Sequence, residues 1–451
     1  MGLVNVFTRA ASLAAVSCFF PSTAAAAATS VPSAVIPQGT IRGFRDTHGN
    51  SVFLGVPFAA TTGGKNRWRA PQDVPASNAA FDATSYGSTC PQAIRGTLFS
   101  QQGEDCLNLN IWAPATGENL PVFVYMYGGA MVTGSSSDPQ LQGTNFARND
   151  VVYVNFNTRE SIFASPYSSE LDAANPGESQ NFSILDVEKA LNWVRENIKA
   201  FGGNPDHIVF GGHSSGSVQV DHYLWNHPDT WLKGAVEMSA NALSGPGYAP
   251  QNEALDIVAA EVGCPAGGQG QIDCLREVDL YAFQTANFNA TSNTWFTPVI
   301  DDITRHSDYA GASPPASTPR TSAQDTWVYR FFGAYDNVVG PPGTAPTHGT
   351  EVPFFHGGNE CFEKLSGVTA AQQALADSIH GWFVQWIKNP AAGPGWDKAK
   401  PKSGPLVKLG VPADELSLIK GTTDEFNSRC QKVYNPRFNK YPVVQSVEGI
   451  L

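Results

Sequence analysis

The sequence predicts an α/β fold in which a mostly parallel central sheet carries helices on both faces. The stretch Pro121 to Tyr127 is continuously apolar, which is typical of a strand covered on both sides, and Val151 to Phe156 is predicted as the next buried strand. A third short strand, Ile208 to Phe210, follows a helix predicted over Asp186 to Phe201. That helix is indicated by apolar residues that recur on one face: Ile184, Val187, Leu191, Val194 and Ile198.

Composition favours one large globular domain over a nucleic-acid-binding or membrane-anchored protein. Of the 451 residues, 42% are hydrophobic and 15% are charged, which suits a large buried core. The net charge of −12 leaves no basic stripe to neutralise phosphates, so no nucleic-acid partner is expected. It also provides no polybasic membrane anchor. We therefore predict a single domain over residues 29–451.

The N-terminus predicts a signal peptide over residues 1–28. Arg9 precedes an apolar stretch, Ala10 to Phe20, which is too short to span a bilayer and is followed by small residues from Ser22 to Ala28. Cleavage would remove Cys18 and leave six of the seven cysteines, an even number that suits an oxidising compartment. The chain is therefore expected to be secreted and extracellular.

The mature chain is expected to begin with antiparallel strands. Short alternating runs from Ile36 to Gly43 and from Val52 to Ala59 are separated by Gly-containing turns. Such runs are typical of β-hairpins.

The third strand runs into a Gly-x-Ser-x-Gly pattern that predicts a nucleophilic serine. Gly212, Ser214 and Gly216 have the spacing of a nucleophile elbow, a tight strand-to-helix turn. Glycines flank such a serine because a side chain at either position would collide with the adjoining strand or helix. The alternative is an ordinary loop rich in Ser and Gly, but the order helix, turn, strand and elbow favours the functional interpretation.

Two stretches resemble the type-B carboxylesterase/lipase family, which includes cholinesterases and many secreted fungal esterases. They are FGGNPDHIVFGGHSSGS, from Phe201 to Ser217, and EDCLNLNIW, from Glu104 to Trp112. The resemblance implies an α/β-hydrolase fold and a small-molecule ester as substrate. No Cys/His spacing indicates a metal, and no Gly-rich loop indicates a nucleotide cofactor. The family often has Glu or Gln before the serine, where this chain has His213.

The resemblance also implies which residues act as the base and as the oxyanion hole. Among nine histidines, His348 fits the family's base motif, and it follows the serine as in other α/β-hydrolases. His213 and His356 are expected to be packing or loop residues. The family's oxyanion loop corresponds to the segment after Tyr127, where the usual third glycine is Ala130. The predicted oxyanion donors are the N–H groups of three residues: Gly129, Ala130 and Ser215. An ordinary strand-ending turn is the alternative.

Further family features concern disulfides and glycosylation. The resemblance pairs Cys90 with Cys106 and Cys264 with Cys274, which leaves Cys361 and Cys430 as a third pair by elimination. Asn289-Ala290-Thr291 is the preferred glycosylation sequon. A second sequon at Asn181 begins the helix that leads to the elbow, where the family uses this asparagine structurally.

The resemblance is interrupted near residues 305–325, and we predict a missing segment there. Phe296 to Asp301 resembles a family landmark, after which the family has a sheet strand and a catalytic acid, usually Glu. This chain has instead a polar linker rich in Ser, Pro and Ala, too short to supply that strand. The acidic residues nearby are Asp301, Asp302, Asp325, Asp336 and Glu351. Among them, Asp336 in the loop before His348 is the candidate replacement for the catalytic acid.

The sequence therefore predicts a serine carboxylic-ester hydrolase that forms an acyl-enzyme on Ser214 and is impaired because the usual acid is absent. Two alternatives stay open. One is a non-catalytic binding protein on the same fold, because a fold does not fix a function. The other is a lipase, which the short polar stretch between Cys90 and Cys106 disfavours.

Overall fold

The computed structural model describes residues 30–92, 101–240, 252–290, 296–307, 325–335, 337–338, 346–362, 365, 367–398, 404–412, 415–422 and 425. Within these ranges the strands are β1 (Ser33–Ile36), β2 (Gly39–Arg42), β3 (Phe44–Arg45), β4 (Ser51–Pro57), β5 (Ala80–Asp82), β6 (Asn108–Ala113), β7 (Leu120–Met126), β8 (Val152–Phe156), β9 (Gly203–His213), β10 (Gly234–Met238), β11 (Tyr329–Phe331), β12 (Pro405–Leu409) and β13 (Ile419–Thr422). The helices are α1 (Thr144–Ala147), α2 (Ser161–Ala164), α3 (Ser169–Ala174), α4 (Phe182–Asn197), α5 (Ser215–Asn226), α6 (Asn252–Glu261), α7 (Gln271–Glu277), α8 (Leu280–Ala290), α9 (Val352–Phe355) and α10 (Ala370–Lys388).

A seven-stranded sheet forms the centre of the described chain, in the order β10-β9-β7-β8-β6-β4-β3. The strands β10, β9, β7 and β8 run parallel to one another, whereas β8, β6, β4 and β3 pair antiparallel. The predicted α/β class is confirmed, and parallel pairing is confined to the half of the sheet that leads to Ser214. The three strands predicted from apolar runs are β7, β8 and β9.

Both faces of β7 are buried, which explains its unbroken apolar sequence. Successive side chains of a strand point to opposite faces. On one face Val122 and Val124 pack in a core with helix α4. On the other face Phe123 and Tyr125 pack in a core with α10, whose contribution includes Leu375. The sheet is therefore covered by helices on both sides, as predicted.

Two smaller sheets flank the central one. In the first, β1 pairs antiparallel with β2, in agreement with the predicted antiparallel start of the chain, and β5 joins β2. In the second, β12 lies between β11 and β13. The described residues contain no strand between β10 and β11 in the chain, and β10 is the last strand of the central sheet. Residues 308–324 of the predicted gap lie outside the described residues.

The described helices include none that is long and apolar enough to cross a membrane. The predicted signal peptide, residues 1–28, lies outside the described residues.

A buried ion pair joins the end of β8 to helix α4, which leads to the elbow. Asp186 of α4 accepts hydrogen bonds from Arg159 Nη2 at 2.6 Å, from Nε at 2.9 Å and from the Arg159 backbone N–H at 3.0 Å. The side chains of Arg159 and Asp186 are 2% and 0% exposed. Arg159 Nη1 also donates to the carbonyl of Arg69 at 2.7 Å. Because all these groups are buried, removing either partner leaves the other charge uncompensated.

We predict that Asp186→Asn destabilises the protein strongly. Loss of one partner of a buried pair costs about 3–5 kcal/mol in free energy of unfolding, because the guanidinium stays buried without its counter-charge. The matched control is Lys189→Ala on the same helix, whose ion pair with Asp73 is at the surface and should change stability little. Urea denaturation measures both. Equal midpoints for Asp186→Asn and Lys189→Ala would contradict the prediction.

Candidate active site

Ser214 occupies a single-residue turn between strand and helix. Strand β9 ends at His213, and α5 begins at Ser215. Ser214 has φ 55° and ψ −125°, a left-handed conformation that is costly for a residue with a Cβ. Its N–H donates to the Met238 carbonyl at 2.8 Å, and its own carbonyl accepts from the N–H of Val218 at 3.0 Å. The surrounding backbone thus holds the strained turn in place.

Glycines surround this turn because no side chain fits beside it. A Cβ on Gly212 would lie 2.5 Å from the carbonyl carbon and oxygen of Gly216. A Cβ on Gly216 would overlap the carbonyl oxygens of the residues at the end of β7, and one on Gly128 would lie 2.7 Å from the Cβ of Ser214. The distances agree with the steric reason for a Gly-x-Ser-x-Gly pattern. They also place the loop after β7 directly against Ser214.

His348 lies within hydrogen-bonding distance of the serine. Its Nε2 is 2.7 Å from Ser214 Oγ. Two tight turns hold His348: the Thr350 N–H donates to the Thr347 carbonyl at 3.1 Å, and the Val352 N–H donates to the Gly349 carbonyl at 3.2 Å. When Nε2 accepts the hydroxyl proton, the ring's other nitrogen, Nδ1, carries hydrogen. This is the arrangement that a serine nucleophile and its base require.

The ring of His348 packs against that of His213. The two ring centroids are 4.7 Å apart and the planes are inclined by 38°. His213 is buried at 8% exposure, and its Nε2 lies 3.8 Å from Glu351 Oε1. Burial, followed by the neighbouring His348 and His356, lowers the pKa of His213 to about 3. His213 is therefore neutral at ordinary pH.

Among the residues that the structure describes, no carboxylate reaches His348. Asp301 accepts from Ser179 Oγ at 2.5 Å and from backbone N–H groups of the turn that follows it. Burial opposes ionisation of Asp301, but the hydrogen bonds from Ser179 and that turn outweigh burial and lower its pKa. Asp325 pairs with Lys398 at 2.6 Å, and Asp302 accepts from the Ser307 N–H at 2.7 Å. Asp336 lies outside the described residues.

Two consecutive residues of the loop after β7 have positive φ. Gly129 has φ 148°, and the next residue, Ala130, has φ 57°. The left-handed conformation costs an L-residue about 1–2 kcal/mol, so alanine is tolerated at position 130 with some strain. In the described part of the chain, the N–H groups of Gly129, Ala130 and Ser215 donate to no backbone acceptor. They are thus available to a ligand beside Ser214.

A side chain that the sequence analysis missed supports this loop. Gln92 Nε2 donates to the Gly134 carbonyl at 2.9 Å, while Gln92 Oε1 accepts from the Gly134 N–H at 2.8 Å and from Thr133 Oγ1 at 2.5 Å. Gln92 also donates to the Cys90 carbonyl at 3.0 Å. The structure joins Cys90 to Cys106, so the disulfide fixes the segment that carries Gln92. Only its position two residues after Cys90 could have drawn attention to it.

A buried carboxyl group lies beneath the same loop. Tyr127 donates from its hydroxyl to Glu160 Oε1 at 2.9 Å, and the Tyr127 hydroxyl accepts from the Thr158 N–H at 3.3 Å. Burial raises the pKa of Glu160 well above its usual range, although the hydrogen bonds from Tyr127 and Thr158 oppose this shift. No sequence pattern marked Glu160, because its burial depends on the packing of distant segments.

The remaining predicted features lie away from Ser214. The structure joins Cys264 to Cys274, the second pair that the family resemblance implies. Cys361 is buried and Cys430 lies outside the described residues, so their pairing stays a prediction. Asn289 is exposed in the last turn of α8. Asn181 is fully buried, and its side chain donates to the Val299 carbonyl at 2.8 Å, which agrees with its expected structural role.

No group of three or more His, Cys, Asp or Glu residues that could hold a metal ion occurs in the described ranges. The candidate site therefore consists of Ser214, His348 and the backbone around them, an arrangement that can support nucleophilic attack by a serine.

The chain is similar to known carboxylesterases in sequence and in fold. The model of the carboxylesterase family matches residues 30–318, well over half of the chain, including Ser214 but ending before His348. The chain is 37% identical to a para-nitrobenzyl esterase of Bacillus subtilis over 189 residues, 40% of this chain and 38% of that protein. It is 33% identical to a secreted lipase of Arthroderma benhamiae over 255 residues, 52% of this chain and 44% of the relative. The chain thus spans less than half the length of these two relatives.

A solved structure has the same fold. The structure of a PNB esterase superposes with a TM-score of 0.72 and covers 89% of this chain and 100% of the esterase, at 22% sequence identity. At this identity the likeness shows the α/β-hydrolase fold.

We predict opposite effects for two Gly→Ala substitutions in helices. Gly216→Ala should lower the free energy of unfolding by about 1–3 kcal/mol, because the new methyl overlaps the backbone at the end of β7. Gly381→Ala in α10 should raise it by about 0.5–1 kcal/mol, because nothing lies within 4 Å of the new methyl and alanine favours helix. Thermal and urea unfolding test both. A Gly216→Ala protein as stable as wild type would refute the proposed steric constraint.

Proposed function

Because the chain belongs to the carboxylesterase family, we propose that it hydrolyses carboxylic esters through an acyl-enzyme on Ser214. The observation that carries the proposal is the 2.7 Å distance between Ser214 Oγ and His348 Nε2 at a strained elbow. A serine hydroxyl is a weak nucleophile on its own and is activated by an adjacent base. The ester that the proposal names is a small molecule, and no cofactor takes part.

In the proposed mechanism Ser214 Oγ attacks the ester carbonyl as its proton passes to His348 Nε2. The oxyanion that forms accepts hydrogen bonds from the N–H groups of Gly129, Ala130 and Ser215. His348 then protonates the departing alcohol. Water, deprotonated by His348, attacks the acyl group and releases the acid, which restores Ser214.

The proposed enzyme is slow because its base lacks a carboxylate partner among the described residues. In a serine protease, spoiling the acid that orients the histidine and stabilises its charged form lowers kcat by about 10⁴. Catalysis that remains comes from the nucleophile, the base and the oxyanion donors. Asp336, outside the described residues, is the alternative acid.

Short-chain esters are the proposed substrates, and long-chain lipids are the second candidate because one relative is named a secreted lipase. The para-nitrobenzyl esterase relative supports the first. Measuring hydrolysis of a series of p-nitrophenyl esters of increasing acyl length distinguishes these two substrate classes. A non-catalytic binding protein on the same fold is the third candidate, and retention of both Ser214 and His348 within hydrogen-bonding distance argues against it.

We also propose that the protein is secreted and glycosylated. Support comes from the N-terminal pattern of Arg9 followed by an apolar stretch, from the two disulfides and from the secreted relative. The exposed Asn289 is the proposed acceptor of the glycan.

We predict slow but Ser214-dependent turnover of p-nitrophenyl butyrate. The kcat should lie about 10⁴ below the usual range of about 1–10³ s⁻¹. Ser214→Ala should abolish the reaction, whereas Ser378→Ala, a serine of α10 that donates to the Ala374 carbonyl, should leave it unchanged. Activity that survives in Ser214→Ala would refute the proposed nucleophile.

A wild-type kcat in the usual range would instead refute the prediction that the catalytic acid is missing. In that case Asp336→Asn decides whether Asp336 takes its place: a large loss of kcat would assign it that role.

A further inference from the structure

The strongest unassigned feature of the site is the histidine that precedes the nucleophile. His213 is buried, yet its Nε2 has no hydrogen-bond partner, and this nitrogen faces the carboxylate of Glu351 at 3.8 Å. A buried polar atom without a partner is costly, so its retention calls for an explanation. The proposed mechanism gives His213 no part in proton transfer, because Ser214 already bonds to His348.

The loop that carries His348 encloses His213 on two sides. The ring of His348 lies against that of His213, and a Cβ on Gly349 would be 3.6 Å from His213 Cε1. Glu351, three residues after His348, accepts a hydrogen bond from Ser239 Oγ, and its Oε1 lies 3.8 Å from His213 Nε2, too far for a hydrogen bond. A Cβ on Gly128 would lie 3.0 Å from Nδ1 on the remaining side. The ring of His213 therefore lies between the ring of His348 and the backbone of these two glycines.

His348 has little else to orient its ring. In the described residues its recorded contacts are the hydrogen bond to Ser214 and the ring of His213. One hydrogen bond leaves an imidazole free to rotate about the bond direction, and a flat neighbour restricts that rotation. A displacement of about 1 Å in a reacting group can cost 10²-fold in rate.

We propose that His213 is a positioning residue that orients the ring of His348 by packing, where the described residues provide no carboxylate to do so. The proposal rests on the proposed function and deepens it. A neutral neighbour suits this role, because a charged imidazole in contact with His348 would repel the imidazolium formed when His348 accepts the Ser214 proton. The lowered pKa of His213 keeps it neutral at ordinary pH.

Two substitutions of His213, one that keeps an aromatic ring and one that removes it, test the proposal. The measured quantity is the rate constant at which a fluorophosphonate labels Ser214. Attack on phosphorus needs the same serine and base but no turnover, so it can be measured in a slow enzyme. His213→Phe keeps the flat ring, so His348 should stay in place. Its labelling rate constant should therefore lie within about 3-fold of that of wild type. His213→Gln removes the ring and should label about 10- to 100-fold more slowly. The family's own use of Gln at this position makes a folded Gln variant expected.

Thermal unfolding separates positioning from a merely structural role. The labelling rate constants of the variants should depend on whether position 213 carries a ring. They should not follow the order of the variants' melting temperatures. Equal labelling by the Phe and Gln variants, or loss that parallels melting temperature, would overturn the inference. If wild type itself is not labelled, both the proposed function and the inference fail. If wild type is labelled and the two variants are equal, only the inference fails.

Discussion

The strand-to-helix turn at Ser214 leaves no room for a side chain at three neighbouring backbone positions. Gly212 and Gly216 bring the end of β9 and the start of α5 together, and Gly128 lets the loop after β7 lie against the serine. Close packing of these backbones brings the loop that carries Gly129 and Ala130, two of the proposed oxyanion donors, against the serine. The same packing holds Ser214 in a conformation that a free chain would rarely adopt. The parallel half of the sheet thus serves mainly to fix this turn.

Local patterns predicted much of this arrangement. The apolar runs located β7 and β8 to within a residue, because a doubly covered strand has no polar face to interrupt the pattern. The helix predicted over Asp186 to Phe201 is α4, which begins four residues earlier, at Phe182, and ends at Asn197. The start of β9 was not predicted, since Gly203-Asn204-Pro205 reads as a turn although Gly203 pairs with Leu120 of β7. Tertiary pairing overrode local preference there.

Contacts between distant segments could not be predicted from the residues alone. Ser214 and His348 are 134 positions apart, and only the family resemblance joined them. The packing of His213 on His348, the support of the loop by Gln92 and the burial of Glu160 depend on how whole elements dock. Such residues look like ordinary polar side chains in the sequence, because burial and not residue type gives them their role.

A carboxylate in a catalytic triad performs two tasks, orienting the base and stabilising its charged form. In this site the two tasks are separate. The ring of His213 packs against that of His348 and, in our proposal, orients it, whereas the described residues provide no carboxylate in contact with His348 to stabilise the imidazolium. Asp301 does not substitute, because its oxygens are already engaged by Ser179 and the following turn. The account therefore expects a well-ordered but slow site.

The central claim is that Ser214 forms a covalent acyl intermediate. Mixing the full chain with excess p-nitrophenyl butyrate, quenching in acid and mapping peptides by mass spectrometry tests it most directly. The account predicts one butyryl group on the peptide that carries Ser214, which is lost on further incubation without ester and is absent from Ser214→Ala. A butyryl group on another residue in place of Ser214, or its persistence in Ser214→Ala, would contradict the account.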